Sequence, residues 1–272
     1  MKFLIGTQKD IASINMINNL QSLGFNEIDE KKENFKVYKK NDFILLESNR
    51  ELIYYDDLLD SIRNDFETDI DYVVFLSKHA SESGIPTLTT HVTGNLSDEA
   101  KYGGKPESLA IPLPNKMKLI LENLKNKVNE NNLDYEVSYE ATHHGPTEID
   151  VPLLFVEIGS SESRWKDKMA GKVIVESLLN SLNSDKTFKP VLGIGGGHYA
   201  PRHTDEAFER DIAYGHIIPE YMNPKEKVIK DAIMKTSKSL NEMIVHSNRT
   251  PRTLMEKVLN ISDELSIKVK EL

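Results

Sequence analysis

The chain has 272 residues, 39% of them hydrophobic and 28% charged, enough to bury a core as one large or two small domains. It contains no cysteine, which excludes disulfides, thiolate-held zinc, iron–sulfur clusters and thiol nucleophiles; any zinc must rest on His, Asp or Glu. A net charge of −9 argues against a non-specific nucleic-acid coat, which needs surplus Lys and Arg, but not against a local basic grip on one end of a nucleic acid.

Residues 2–6 (KFLIG) predict a short buried strand, and Ile11, Ile14, Ile17, Leu20 and Leu23 predict a helix after it. The apolar run before Gly6 is too short for a signal-peptide core. No segment approaches the ~18 apolar residues of a membrane span, so a cytoplasmic location is expected. FKVYKK and DFILLES predict two strands joined at Lys40-Asn41-Asp42. DYVVFLSKHAS (71–81) and TLTTHVTGN (87–95) each begin as a strand and end polar. Residues 96–116, with a Gly pair and several prolines, predict a long loop of the kind that is often functional. Ile120, Leu124 and Val128 mark a helix, LDYEVSYEA a strand, VPLLFVEIGS (151–160) a buried strand, and Trp165 to Leu182 one amphipathic helix. KPVLGIGGG (189–197) and YGHIIP (214–219) read as further strands. From about Pro224 the pattern is helix, strand (EMIVH), helix. Strands alternating with helices in this way predict a three-layer α/β/α sandwich around a mixed, mostly parallel sheet, as a single domain over 1–272. Ligands in such folds bind near the carboxyl ends of strands.

Seven of the eight histidines lie in or beside polar clusters that follow strands: His79, His91, His143, His144, His198, His203 and His216. A lone histidine is usually structural, which is the expectation for His79, His216 and His246. Neighbours on a strand point to opposite faces, so His143 and His144 share a pocket only if Gly145-Pro146 turns the chain. Glu140 and Glu157 lie on flanking strands as candidate ligands, bases or orienters of a histidine; for Glu140 an exposed edge carboxylate is an equal alternative. The spacing is not that of HExxH. In GIGGGHYAPRH, Gly195, Gly196 and Gly197 allow close backbone approach and expose N–H donors. Arg202 can pair with a phosphate or carboxylate, and His198 can hold a metal or move a proton. The P-loop lysine is missing, and no clean helix is expected to follow. GSSESRW (159–165) predicts a helix start capped by Ser160 or Ser161. Lys116, Lys118, Lys125 and Lys127, and separately Lys166, Lys168 and Lys172, are basic groupings expected to be solvated helix faces.

Taken together, SKHASESGIPTLTTHVTGN (77–95), EATHHGPT (140–147), VEIGSSESRW (156–165), GIGGGHYAPRH (193–203) and YGHIIP (214–219) resemble the archaeal-and-plant type of D-aminoacyl-tRNA deacylase. The first 70 and last 50 residues match only in general pattern, and Ala80 and Glu82 are small departures. The resemblance implies hydrolysis of the ester joining a D-amino acid to the terminal ribose of tRNA, by a monomeric cytoplasmic enzyme. It also implies zinc, two ions per subunit, and a fold related to phosphorylases and peptidyl-tRNA hydrolase. On that basis His91, His143, His144, Glu140 and His198 are expected metal ligands, the last four also acid–base groups. Gly195, Gly196, Gly197, Arg202, Asn95 and Thr93 are expected to meet the acceptor end of the substrate. A zinc amidohydrolase or peptidase on a related fold, and a non-catalytic RNA-end-binding module, are the rival readings.

Overall fold

The computed structural model describes residues 1–28, 32, 34–82 and 84–272; Ser83 of the 77–95 motif lies outside the described residues. β1 (Lys2–Thr7) leads to α1 (Ile11–Ser22), which begins where Asp10 Oδ1 accepts the N–H groups of Ala12 and Ser13. β2 (Asn26–Glu27) is followed by the expected hairpin, β3 (Phe35–Lys40) and β4 (Phe43–Ser48), turning at Asn41 with φ +54°. α2 (Leu58–Asp65) precedes β5 (Tyr72–Lys78) and β6 (Thr87–His91). The long loop ends at α3 (Pro114–Glu130), whose Pro114 occupies a first-turn position where no N–H is needed. β7 (Glu136–Tyr139) and β8 (Leu153–Gly159) follow.

The segment read as one helix from Trp165 is two, α4 (Glu162–Trp165) and α5 (Lys168–Leu182). Asp167 separates them because its carboxylate accepts the N–H groups of Met169 and Ala170 and starts a new helix. Ser161 stands at the N-cap of α4 as expected, but its hydroxyl pairs with Ser163 instead of capping an N–H, and Ser160 Oγ donates to the Ile85 carbonyl. β9 (Lys189–Ile194) is followed by a helix the sequence reading did not expect, α6 (Pro201–Glu209), again opened by a proline. β10 (Ile212–Ile218), α7 (Glu226–Thr236), β11 (Glu242–Val245), α8 (Arg252–Leu265) and β12 (Lys268–Glu271) complete the chain.

The strands form two sheets, not one. The larger has the order β2-β3-β4-β1-β5-β8-β6-β7, the smaller β10-β9-β11-β12. Pairing is mostly parallel, as expected; the exceptions are β2 with β3, β3 with β4, and β6 with β8. α1, α5 and α3 pack side by side along the larger sheet, and α3 also touches β10 of the smaller. α7 and α8 cover the smaller sheet. No described helix is long and apolar enough to cross a membrane.

One short span sews the sheets together. Glu140 N–H donates to Thr90 O of β6 at 3.2 Å, Ala141 N–H to His198 O at 2.8 Å, and Thr142 N–H to Ile217 O of β10 at 2.9 Å. His216 braces the seam, one ring nitrogen 3.1 Å from Thr142 Oγ1 and the other 3.2 Å from Ala110 O. Lys125, Lys166, Lys168 and Lys172 are exposed, as expected of solvated helix faces, but Lys116 and Lys118 turn inward. Lys116 reaches the Leu182 carbonyl, and Lys118 is buried with Glu122 and the Arg210 carbonyl. Lys125 lies over the Phe208 ring, and Lys127, Lys166 and Lys172 pair with carboxylates.

Candidate active site

Strand register builds the site. Paired residues on neighbouring strands share a face, as do alternate residues of one strand. Ser77 pairs with Glu157, Thr89 with Glu157, His91 with Phe155, and Thr89 with Ser138. Ser77 and His79, Glu157 and Phe155, His91, and Glu140 two residues beyond Ser138 therefore fall on one side of the larger sheet. Because β6 runs against β8, the carboxyl ends of these strands do not meet at one edge. The cluster stands on the sheet's face.

His144 answers how the paired histidines share it. Its φ is +43°, a left-handed conformation uncommon outside glycine, and it reverses the strand alternation just before the Gly145-Pro146 turn. The His143 and His144 ring centroids are 4.3 Å apart, and those of His91 lie 4.3 and 5.0 Å from them. His198 arrives from the loop after β9, 4.4 Å from His143.

Hydrogen bonds fix which nitrogens carry protons. A carbonyl cannot donate, so Nδ1–H of His143 bonds Ala141 O at 2.7 Å, that of His144 bonds Gly145 O at 2.6 Å, and that of His91 bonds Val92 O at 3.2 Å. The Nε2 atoms of His143 and His144 face inward as lone pairs, the arrangement in which backbone carbonyls orient metal-binding imidazoles, while burial opposes a charged His91 but Glu157, 3.8 Å from its Nε2, raises its pKa. His198 Nε2–H donates to Glu140 Oε2 at 3.0 Å. His79 Nδ1 stands between two carboxylates, 3.1 Å from Glu140 Oε1 and 3.3 Å from Glu157 Oε2, and Trp165 Nε1–H holds its carbonyl at 2.9 Å.

Burial opposes ionisation of Glu140, yet hydrogen bonds from His198 and His79 outweigh it and hold its carboxyl well below the usual range. Burial, with the neighbouring imidazoles, depresses His143 strongly and His144 to about 4. Burial also opposes a charged His79, but Glu140 and Glu157 raise it to about 11. That proton and a cation compete for the same two carboxylates.

Overlapping donor groups (His79, Glu140, His143 and His198; His91, His143 and His144; His91, Glu140 and Glu157) have their ligand atoms within 4.8 Å of one another. One buried ring nitrogen among them, His91 Nε2, has no hydrogen bond. Unpaired buried lone pairs are costly, and inward-facing nitrogen and oxygen donors without sulfur suit a borderline metal ion. The residues fit a metal.

The structure rearranges part of the expected site. His79, expected to be structural, belongs to the cluster, and Glu140 is buried rather than exposed at an edge. Thr93 is fully buried with its hydroxyl bonded to Pro146 O, and Asn95 spends its amide on the Gly103 and Lys105 carbonyls. Both hydrogen-bond loop carbonyls, and Asn95 also lines the cavity. Gly195 and Gly196, at φ +83° and +85°, turn their N–H groups onto Ile218 O and Arg249 O, so of the three glycine amides only that of Gly197 is left for a ligand. Arg202 is exposed on the cavity wall. His203 is an internal prop between Tyr214 OH and Gly195 O. The cluster opens into a cavity of about 1230 Å³, at the large end for small-molecule sites.

An α/β scaffold carrying buried imidazoles and carboxylates at the floor of a deep cavity has the build of a hydrolase. Comparison narrows the class. A family profile described as D-aminoacyl-tRNA deacylase matches residues 66–270. The D-aminoacyl-tRNA deacylase of Pyrococcus abyssi is 45% identical over 248 residues, 90% of this chain and 88% of that one. The enzyme of the same name from Thermococcus onnurineus is 40% identical over 272 residues, 98% of each chain. A crystal structure described as a conserved protein of unknown function superposes with a TM-score of 0.90 at 30% identity, covering 100% of this chain and 95% of that one. The chain belongs to the D-aminoacyl-tRNA deacylase family.

Proposed function

We propose that the chain hydrolyses the ester between a D-amino acid and the terminal ribose of tRNA, releasing both, at the His/Glu cluster and with zinc as its metal. The observation that carries the placement is the set of overlapping donor groups at the floor of the cavity. His91, His143, His144, Glu140 and His198 would hold zinc, joined by His79 and Glu157, and these seven side chains would supply donors for as many as two ions. When bound, zinc supplies Lewis acidity toward the ester carbonyl and lowers the pKa of water toward ~7.

The chain's own residues do the rest. His143 and His144 stay neutral at physiological pH, so each Nε2 keeps one lone pair, which serves either the metal or, where no metal takes it, a proton from the attacking water. His198, half-exposed to the cavity and oriented by Glu140, is the group we assign to protonate the leaving ribose oxygen. Arg202 and the Gly197 amide stand on the wall to meet the terminal phosphate or the developing oxyanion. We also infer that the chain acts as a cytoplasmic monomer of one domain, in keeping with a tRNA substrate.

The test is metal analysis of the purified protein, then hydrolysis of D-Tyr-tRNA and L-Tyr-tRNA with and without chelator. His144→Ala should lose about 100-fold or more on the D-substrate. An unaffected variant removes His144 from the chemistry.

A further inference from the structure

Three large aromatic side chains are exposed among the described residues: Tyr54 at 45%, Tyr102 at 64% and Tyr221 at 54%. Single exposed rings need no explanation, but a gathered set does. Tyr102 and Tyr221 line the cavity. Tyr54 packs beside the Tyr102 loop, its ring 3.3 Å from where a side chain on Gly103 would begin. Arg202, exposed and lining the same cavity, makes no ion pair among the described residues.

Both cavity rings are tied to the cluster. The Tyr102 carbonyl accepts the Gly145 N–H at 2.9 Å, directly after the double histidine. Its loop is held by Asn95 Nδ2 on Gly103 O at 2.8 Å and by Gly104 N–H on Asp56 Oδ2 at 3.0 Å. Tyr221 OH lies 3.4 Å from His198 Nδ1. A flat group stacked on Tyr221 therefore lies beside His198, and one stacked on Tyr102 lies on the loop anchored next to His144.

We propose that Tyr102 and Tyr221 are stacking platforms for the unpaired bases at the 3′ end of the substrate, with Arg202 meeting the phosphate between them. The inference rests on the tRNA reading above. Every base has a π face, so rings capture a single-stranded end without reading its sequence. A chain of net charge −9 has little electrostatic pull on phosphate, so the rings supply affinity that charge does not.

The experiment measures two things on wild type, Tyr102→Ala, Tyr102→Phe and Tyr221→Leu: fluorescence anisotropy with a labelled single-stranded oligonucleotide ending in CCA, and KM and kcat for D-Tyr-tRNA. Tyr102→Ala should weaken oligonucleotide binding on the order of 10-fold and raise KM by a similar factor with kcat little changed, and Tyr102→Phe should restore both. Tyr221→Leu should weaken oligonucleotide binding likewise. Unchanged binding in Tyr102→Ala, or a Phe variant as weak as the Ala one, overturns the stacking role. A wild type that binds the oligonucleotide through these rings but releases no D-tyrosine would sink the hydrolytic reading and leave the stacking site standing.

Discussion

Gly145 follows the two histidines and has no room for a side chain. A Cβ there would fall 2.3 Å from the Gly104 nitrogen, 2.4 Å from the Gly103 carbonyl carbon and 2.7 Å from the Ile53 oxygen. All three are backbone atoms, so no rotamer change relieves the clash. Ordinary contact begins near 3.4 Å, so Gly145→Ala must drive the turn and the loop apart by about 1.1 Å, the difference from 2.3 Å. That separation breaks the Gly145 N–H bond to Tyr102 O, worth about 0.5–1.5 kcal/mol, and adds about 1–3 kcal/mol of overpacking. A destabilisation of roughly 2–4 kcal/mol follows. A displacement of ~1 Å beside reacting groups costs on the order of 100-fold in rate. Gly24→Ala is the control: its φ is +93° but nothing lies within 4 Å of the added methyl. It should lose about 1 kcal/mol and keep its turnover. Urea unfolding measures the first quantity and single-turnover hydrolysis of D-Tyr-tRNA the second. A Gly145→Ala enzyme as fast as wild type would refute the claim that this turn sets the imidazoles.

Burial holds His203 neutral, lowering its pKa from 6.5 to about 4. The unfolded chain takes up a proton there that the folded chain refuses, so this contribution to stability is complete above pH 6.5 and is lost as pH falls toward 4. The loss is roughly 3 kcal/mol. His203→Gln should flatten urea stability against pH in that window, and identical slopes in both proteins would contradict the assignment. Chelated protein should melt at a lower temperature, and zinc at ~100 times its Kd should restore about 2.7 kcal/mol. Glu140→Gln should shrink that gain, while a melting temperature indifferent to zinc would argue against the metal site.

Much of the site was legible because chemistry-bearing residues sat just past apolar strands, as His91, His143 and His198 do. His79 was not legible, because its place depends on the pairing of β5 with β8, which no local pattern encodes. Phe75, Ser77 and His79 alternate onto the site's face, and that alternation was the available signal. The loop bonds of Thr93 and Asn95 were not legible, because a polar residue in a loop is as apt to satisfy backbone as to meet a ligand. The glycine run was read as exposing N–H donors to a ligand, but two of those groups are engaged by carbonyls that no local pattern reveals. The division into two sheets was hidden because parallel strands look alike whichever sheet they join, and the polar KVKE of β12 has no buried face to mark it. α6 was missed because PRHTDEAFE carries few apolar residues at helical spacing.

The span from Tyr139 to Thr142 donates to both sheets, Glu140 N–H to Thr90 O of the larger and Thr142 N–H to Ile217 O of the smaller, and it also carries Glu140. The two sheets cannot part like jaws to admit a substrate without pulling that carboxylate away from His198. The cavity is then a standing mould, filled through its mouth, and discrimination between mirror-image amino acids falls to what fits it rather than to a closing motion.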